Sequence, residues 1–412
     1  MIAFHYPPFE GGSGIHRTLK FSRYLSEFGW HPIVLSANPM AYWHVSDKRL
    51  GEIPAAVPVR RAFAWDVAKH LSIRGRYLKW MAFPDRWGSW WLSGVPAGLA
   101  LIQKYRPQVI WSTYPIATAH LIGLTLHRLS GIPWIADFRD SMSEDEYPSD
   151  PTVRRIYRWI ERRTVKSCGR AVFTTPGTLD MYLKRYPEVK MSRWTLIANG
   201  YDEQDFILAQ RLVRPNDAAT GGPITLVHSG VLYPSERNPV AFFLALAQLR
   251  REQKIHPAKV KVVFRGCGHE DFYSREIKKN KIEDIVKLEP PVAYHTALAE
   301  VLSADGLLIF QASNCNHQIP AKVYEYLRAR RPIFAMTDPD GDTAGILKSM
   351  GVGTIVPLDS KEQIIGGLCS FLRQLSEGSA TIASDKDVSV HSRRSRTLEI
   401  AGVLNSLVND DQ

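Results

Sequence analysis

Short apolar runs recur along this chain, and most are separated by stretches whose apolar residues repeat at helical spacing. A strand that is apolar at every position must be covered on both faces. When an amphipathic helix follows each such strand, the cover is helical and the strands run parallel. In the first half the strand-like runs are 2–6, 31–36, 109–112, 134–137, 171–175 and 195–198, with helical patterns at 15–28, 98–105, 117–129, 152–167 and 178–186. A polar stretch at 213–223 (VRPNDAATGGP) then breaks the pattern, as a linker would. The alternation restarts with strand-like runs at 224–228, 260–265, 285–288, 306–310, 333–336 and 353–356, and helices at 239–252, 295–303 and 321–330. The fold class this predicts is α/β: two doubly wound parallel sheets facing across a cleft, with ligand sites at the carboxyl ends of the strands. The expected boundaries are 1–210 for the first domain, 211–223 for the linker and 224–385 for the second domain. A helical tail, 386–412, is expected to cross back to the first domain.

The 412 residues are too many for one ordinary core, which independently favours two domains of roughly 200 residues. No apolar run approaches the roughly 18 residues of a spanning helix, and no basic patch with an apolar stretch opens the chain. The four cysteines, Cys168, Cys267, Cys315 and Cys369, have neither metal-ligand nor redox spacing. A cytoplasmic location is the expectation, at most peripheral on the inner face of the plasma membrane. The net charge of +11 is uneven: residues 1–205 hold 27 Lys and Arg against 18 Asp and Glu. The first half should therefore attract something anionic, unless the excess is a generally solvated surface.

Five segments carry residues with chemistry. In Tyr6-Pro7-Pro8-Phe9-Glu10-Gly11-Gly12-Ser13-Gly14, followed by Arg17, glycines let backbone N–H groups approach an anion at a helix start. An ordinary strand–helix turn would read the same way. In Asp137-Phe138-Arg139-Asp140, either acid could orient an acceptor hydroxyl and Arg139 could grip a carboxylate or phosphate; the alternative is an ion pair that shapes the loop. Asn199-Gly200-Tyr201-Asp202 is a third turn. Val227-His228-Ser229-Gly230, with Arg237 seven residues on, suits a diphosphate. Pro320-Ala321-Lys322-Val323-Tyr324-Glu325 starts a helix on which Lys322 and Glu325 share a face. That pair supplies a cation for phosphate and an acid for ribose hydroxyls, or else a weak surface ion pair. Asp338-Pro339-Asp340-Gly341-Asp342 is a turn rather than a calcium loop, since Ser349 stands where a bidentate Glu would be needed. No metal site is predicted.

Taken in order, these residues resemble glycosyltransferase family 4 on the GT-B fold, over nearly the whole chain. The resemblance implies two Rossmann-like domains, an acceptor in the first and a nucleotide-sugar donor in the second. It implies Glu325 on the ribose and Arg237 and Lys322 on the diphosphate, with Gly230 beneath. Gly12, Ser13 and Gly14 would face the phosphates or the transferred sugar. The implied reaction moves a sugar to a saccharide or lipid-linked acceptor in cell-surface polysaccharide or glycolipid assembly. It retains configuration and needs no cofactor or metal. The chain departs from the family at two places. His317 stands where a second Glu often lies, eight residues before Glu325, and Leu232 and Tyr233 occupy the place of a frequent Arg. Asp140 and His120 are the candidate general bases.

Residues 70–92 mix Arg74, Arg76, Lys79 and Arg86 with Trp80, Met81, Phe83, Trp87, Trp90 and Trp91. Such a mixture suits an anionic membrane surface, or else the tryptophans fill the first domain's core. No nucleic-acid motif accompanies the basic charge. Two further readings share the fold: a non-catalytic binding or scaffolding protein, and a nucleotide-sugar epimerase.

Overall fold

The computed structural model describes residues 1–11, 14–213 and 222–410. They form two compact units, Met1–Asn199 with Arg393–Gln412 and Gly200–Ser392. The fold is α/β, with every strand pairing between the named strands parallel.

The first unit holds β1 (Val34–Ala37), β2 (Val59–Ala62), β3 (Ile110–Thr113), β4 (Trp134–Arg139), β5 (Arg170–Phe173) and β6 (Trp194–Leu196). β1 pairs with β2, and β3 to β6 pair in sequence. The chain start joins the two groups: Ile2 N donates to Trp111 O at 2.7 Å and Ala3 N to Leu35 O at 3.0 Å. This first strand is shorter than the run 2–6 suggests, because Pro7 and Pro8 have no N–H and turn the chain away. The sheet thus grows in both directions from its first strand.

The helix Ser89–Tyr105 begins well before residue 98, where the sequence pattern places it. Gly94, Pro96 and Gly98 look like breakers, yet the helix runs through them. A Cβ on Gly94 would lie 2.7 Å from Ile122 Cδ1, and one on Gly98 2.4 Å from Leu126 Cδ1, so the glycines let the helix Ala117–Ser130 pack close. Opposite this layer, Ile400, Ala401, Leu404 and Leu407 of the final helix Arg393–Asp410 pack with Phe21, Leu25, Trp111 and Val172. No helix among the described residues is long and apolar enough to cross a membrane.

The second unit holds β7 (Ile224–Ser229), β8 (Val260–Arg265), β9 (Val286–Glu289), β10 (Gly306–Phe310), β11 (Ile333–Met336) and β12 (Thr354–Val356), in the order β12-β11-β10-β7-β8-β9. β10 and β11 are buried at every position. Phe242, Phe243 and Leu246 from one helix and Ile364, Leu368 and Phe371 from another fill the same core as the strands.

The unit boundaries lie outside those drawn from composition. The helix Glu203–Gln210 belongs to the second unit, since Arg328 Nε donates to Glu203 Oε2 at 2.7 Å. Most of the expected linker, residues 214–221, lies outside the described residues. The return to the first unit begins at Arg393 rather than 386, because the short helix Asp385–Ser389 is tied to Arg330 through Asp385 at 2.9 Å. The two ends of the second unit lie side by side: Tyr201 N donates to His391 O at 3.2 Å.

At that point Gly200 has no room for a side chain, since a Cβ would sit 2.2 Å from the His391 carbonyl oxygen. Gly200→Ala must move backbone, and the expected loss is about 1–3 kcal/mol, read as an earlier midpoint in urea unfolding. An unchanged midpoint would show that the two strands need not touch.

Candidate functional site

In the second unit the site starts at the end of β7. Gly230 follows with φ +105°, a conformation that L side chains rarely adopt. A Cβ there would be 3.2 Å from Lys322 Nζ, so the lysine lies directly against this turn. Lys322 opens the helix Lys322–Ala329. Its Nζ donates to His228 Nε2 at 2.9 Å, while His228 Nδ1 donates to Leu308 O at 2.8 Å. His228 is fully buried. Burial first, and the Lys322 charge second, hold its pKa well below the usual range, so the ring is neutral with its proton on Nδ1.

Lys322 is itself lowered to about 7, mainly by burial, then by Arg237, with Glu325 opposing. The structure therefore brings Gly230, Arg237, Lys322 and Glu325 into one electrostatic neighbourhood. Arg237 lies with its guanidinium over the Tyr233 ring at 5.6 Å and its Nη1 3.4 Å from Val231 O. Glu325 is half-buried, and its Oε1 accepts from the Tyr294 hydroxyl at 2.6 Å. Tyr326 OH accepts from Ser229 N at 3.0 Å, which fixes the helix start against the end of β7.

The loop after β10 is held from within. Gln311 Nε2 donates to Cys315 O at 2.7 Å and Gln318 O at 2.9 Å. His317 lies half-buried in this loop. Asp338 serves the same structure: Oδ2 accepts from Asn316 Nδ2 at 2.6 Å and Oδ1 from Asp340 N at 3.0 Å. Arg265 is a framework residue, paired with Glu300 through two contacts of 2.7 Å.

In the first unit, Gly12 and Ser13 lie outside the described residues. Gly14 begins the helix Gly14–Tyr24, and its carbonyl accepts from Arg139 Nη1 at 2.9 Å. The register of β4 shifts between Asp137 and Arg139, and Arg139 takes φ +61°. This bulge re-aims the guanidinium toward the glycine turn and leaves Asp140 exposed at the strand end. Asp137 has the structural role: it is fully buried, and its Oδ2 and Oδ1 accept from Arg17 Nε at 2.8 Å and Nη2 at 3.3 Å. Arg17 also reaches Ala198 O at 3.0 Å.

The loop beyond Asp140 is anchored by buried Glu161. Its carboxylate accepts from Tyr182 at 2.6 Å, from Arg185 and Tyr186 at 2.7 Å each, and from Ser143 at 3.1 Å. His120 is corrected as a candidate base. It is completely buried beside Phe138, 2.8 Å from Ser112 Oγ, and burial lowers its pKa to about 3. A ring so placed cannot exchange a proton with an acceptor from solvent.

Residues 9–200 match the family model described as glycosyl transferase 4-like domain. Residues 9–200 are therefore similar to that domain, and the chain has the GT-B fold. Solved structures similar to it span nearly its whole length. The Anabaena protein HepE in complex with UDP superposes with a TM-score of 0.69 at 14% identity, covering 98% of this chain and 99% of that one. Sucrose-phosphate synthase from Thermosynechococcus elongatus has a TM-score of 0.67 at 15% identity, with 99% of each chain covered. A trehalose-phosphate synthase from Burkholderia xenovorans in complex with glucose-6-phosphate has a TM-score of 0.65 at 13% identity, covering 98% and 99%. No curated protein matches the chain.

Sequence reasoning did not assign roles to Tyr294, Tyr326 or His228, although His228 stands in the quoted strand-end motif. Their partners lie 31, 97 and 94 positions away, so no local spacing reveals them. Within the matched residues, Asp137→Ala strands a buried Arg17 charge and should cost about 3–5 kcal/mol. Replacing both, Arg17→Met with Asp137→Leu, should recover most of that loss in denaturant unfolding. A mild single-variant effect would mean that water reaches the pair.

Proposed function

We propose that this chain is a glycosyltransferase that moves a sugar from a nucleoside-diphosphate sugar to a saccharide or lipid-linked acceptor. The observation that carries the reading is Lys322 seated against Gly230, with Arg237 acting on its charge and Glu325 one helical turn on. A turn that side-chain-bearing residues rarely make brings backbone close to a phosphate. Lys322 and Arg237 then neutralise charge as it develops on the departing diphosphate. Glu325, oriented by Tyr294, is placed to accept hydrogen bonds from a pair of ribose hydroxyls. Two protein cations can supply the neutralisation that other transferases draw from a metal, so EDTA should leave the rate unchanged.

Transfer with retention of configuration, and a hexose as the transferred sugar, complete the proposal. Asp140, exposed at the end of β4, is the proposed acceptor-side group. Assembly of a cell-surface polysaccharide or glycolipid on the cytoplasmic side of the membrane is the setting this suits. The UDP bound to the similar Anabaena protein supports nucleotide use by the fold. A scaffold or an epimerase would share the fold, but neither has a separate observation in its favour.

A panel of nucleotide-sugars in a thermal-shift assay is expected to reveal one donor that raises the melting temperature. With that donor, Glu325→Ala and Lys322→Ala should each lower kcat/KM for transfer at least about a hundredfold, without loss of fold. Near-normal transfer in both variants would refute the assignment.

The pH dependence has a definite sign. With its pKa lowered to about 7, Lys322 loses its charge as pH rises through neutrality in the free protein. A nucleotide-sugar keeps both phosphates ionised across this range, so the protein alone titrates. Donor affinity should therefore fall between about pH 6 and pH 8, by up to about tenfold per unit above the pKa. Calorimetry in buffers of different ionisation enthalpy should register proton uptake on binding. Lys322→Met should flatten the profile, and a flat profile in the unsubstituted protein would contradict the placement of the lysine against the phosphates.

A further inference from the structure

The tryptophan-rich segment at 70–92 divides cleanly in the first unit. Trp90 is fully buried and packs on Phe4 at 5.5 Å, with Trp87 on the same ring at 4.8 Å. Residues 73–80 are exposed without interruption. They form a tight turn: Ile73 and Arg76 exchange backbone hydrogen bonds of 2.8 and 3.0 Å, with Arg74 at φ +51° and Gly75 at φ +76°. Two successive positive φ values are the signature of a type I′ hairpin turn. Ile73 is 80% exposed, Leu78 61% and Trp80 66%. Large apolar side chains so far out of a core on one turn call for a partner.

Both ends of the excursion are clamped by buried carboxylates. Asp66 accepts from Ala68 N at 2.9 Å and from Trp43 Nε1 at 2.8 Å. Asp85 accepts from Thr118 N at 2.8 Å and from Trp87 N at 3.0 Å. Between these two acids the chain has four cations, Lys69, Arg74, Arg76 and Lys79, and no Asp or Glu. Lys69 is spent on the base of the turn, where Nζ donates to Tyr42 O at 2.7 Å. Lys79 touches Asp150 at 3.4 Å from an exposed position, a contact of little strength. Arg74, Arg76 and Lys79 thus surround the apolar tips.

We infer that this turn docks the first unit on an anionic lipid surface, with Ile73, Leu78 and Trp80 entering the headgroup boundary and Arg74, Arg76 and Lys79 meeting the lipid phosphates. The charge complementarity is one-sided, as an anionic bilayer requires. A protruding turn with apolar tips and cations at their flanks matches the depth profile of that boundary, apolar inside and anionic outside. The inference rests on no donor chemistry, so it stands or falls apart from the transferase reading.

Vesicle flotation with the full chain tests it, using phosphatidylcholine alone or with about a third phosphatidylglycerol. The chain should float with the anionic vesicles only, and raised salt should weaken binding by roughly tenfold. Arg74→Ala with Arg76→Ala should weaken it by about 25-fold, at about fivefold per cation. Ile73→Ser, Leu78→Ser and Trp80→Ser together should abolish it. Melting temperature and nucleotide-sugar binding, both unchanged in these variants, would show that the fold and the second unit's site are intact. Failure to float with anionic vesicles at low salt would overturn the inference and leave the turn to a protein partner. Undiminished flotation of both variants would overturn it as well, since another face would then hold the lipid.

Discussion

A parallel sheet that grows in both directions from one strand leaves an opening beside that strand, and the chemistry of this chain depends on that constraint. In the second unit β7 lies between β8 and β10. Connections leaving neighbouring strands on opposite sides of such a point diverge, so the backbone at the carboxyl ends is left available. Gly230 turns there, the loop held by Gln311 leaves there, and the helix of Lys322 and Glu325 is pinned there by Tyr326. In the first unit the chain start plays the part of β7, between β1 and β3, and the glycine turn follows it. Neither site is assembled from sequence neighbours alone. Each is a consequence of where a sheet changes its direction of growth.

Elements buried on both faces were the most legible in the sequence. The run of Gly306–Phe310 and that of Ile333–Met336 carry their bounds in composition, because every position faces a core. Elements shaped by a distant partner were not. β2, Val59–Ala62, carries two arginines and no apolar run to mark it; its pairing with β1 makes it a strand. The start of the Ser89–Tyr105 helix is hidden because its glycines answer to Ile122 and Leu126 on another helix. The same division holds within the site. Lys322 and Glu325 were visible as a spacing on one helix. The groups that orient them, His228 and Tyr294, come from other elements and carry no local signature.

The acids show why residue type alone could not sort structure from chemistry. Asp137 and Asp140 stand three apart in one motif, and both were fair candidates for contact with an acceptor. The bulge in β4 separates them: Asp137 turns inward to Arg17, and Asp140 stays exposed. Asp66, Asp85 and Glu161 are also buried, each saturated by hydrogen bonds that fix a loop or a helix start. Asp66 and Asp85 hold backbone N–H groups, and Glu161 ties side chains from separate elements together, work that apolar side chains could not do.

The arrangement around Lys322 sets an ammonium against a neutral imidazole rather than a carboxylate. A carboxylate at His228 would hold the lysine charged and satisfied, and an arriving phosphate would have to compete with it. The imidazole offers one lone pair, because its other nitrogen is committed to Leu308 O. It fixes where the lysine points while leaving its charge largely uncompensated. That charge is unfavourable where it sits, first because it is buried and second because Arg237 lies nearby, as the lowered pKa records. An anion in the turn at Gly230 would compensate the charge on Lys322. More negative charge on the bound group would compensate it further, and a departing diphosphate gains charge as its bond to the sugar breaks. If the proposed transfer takes place here, the late, charge-rich stage of that step would be favoured over the bound donor, which is the condition for binding energy to appear as rate.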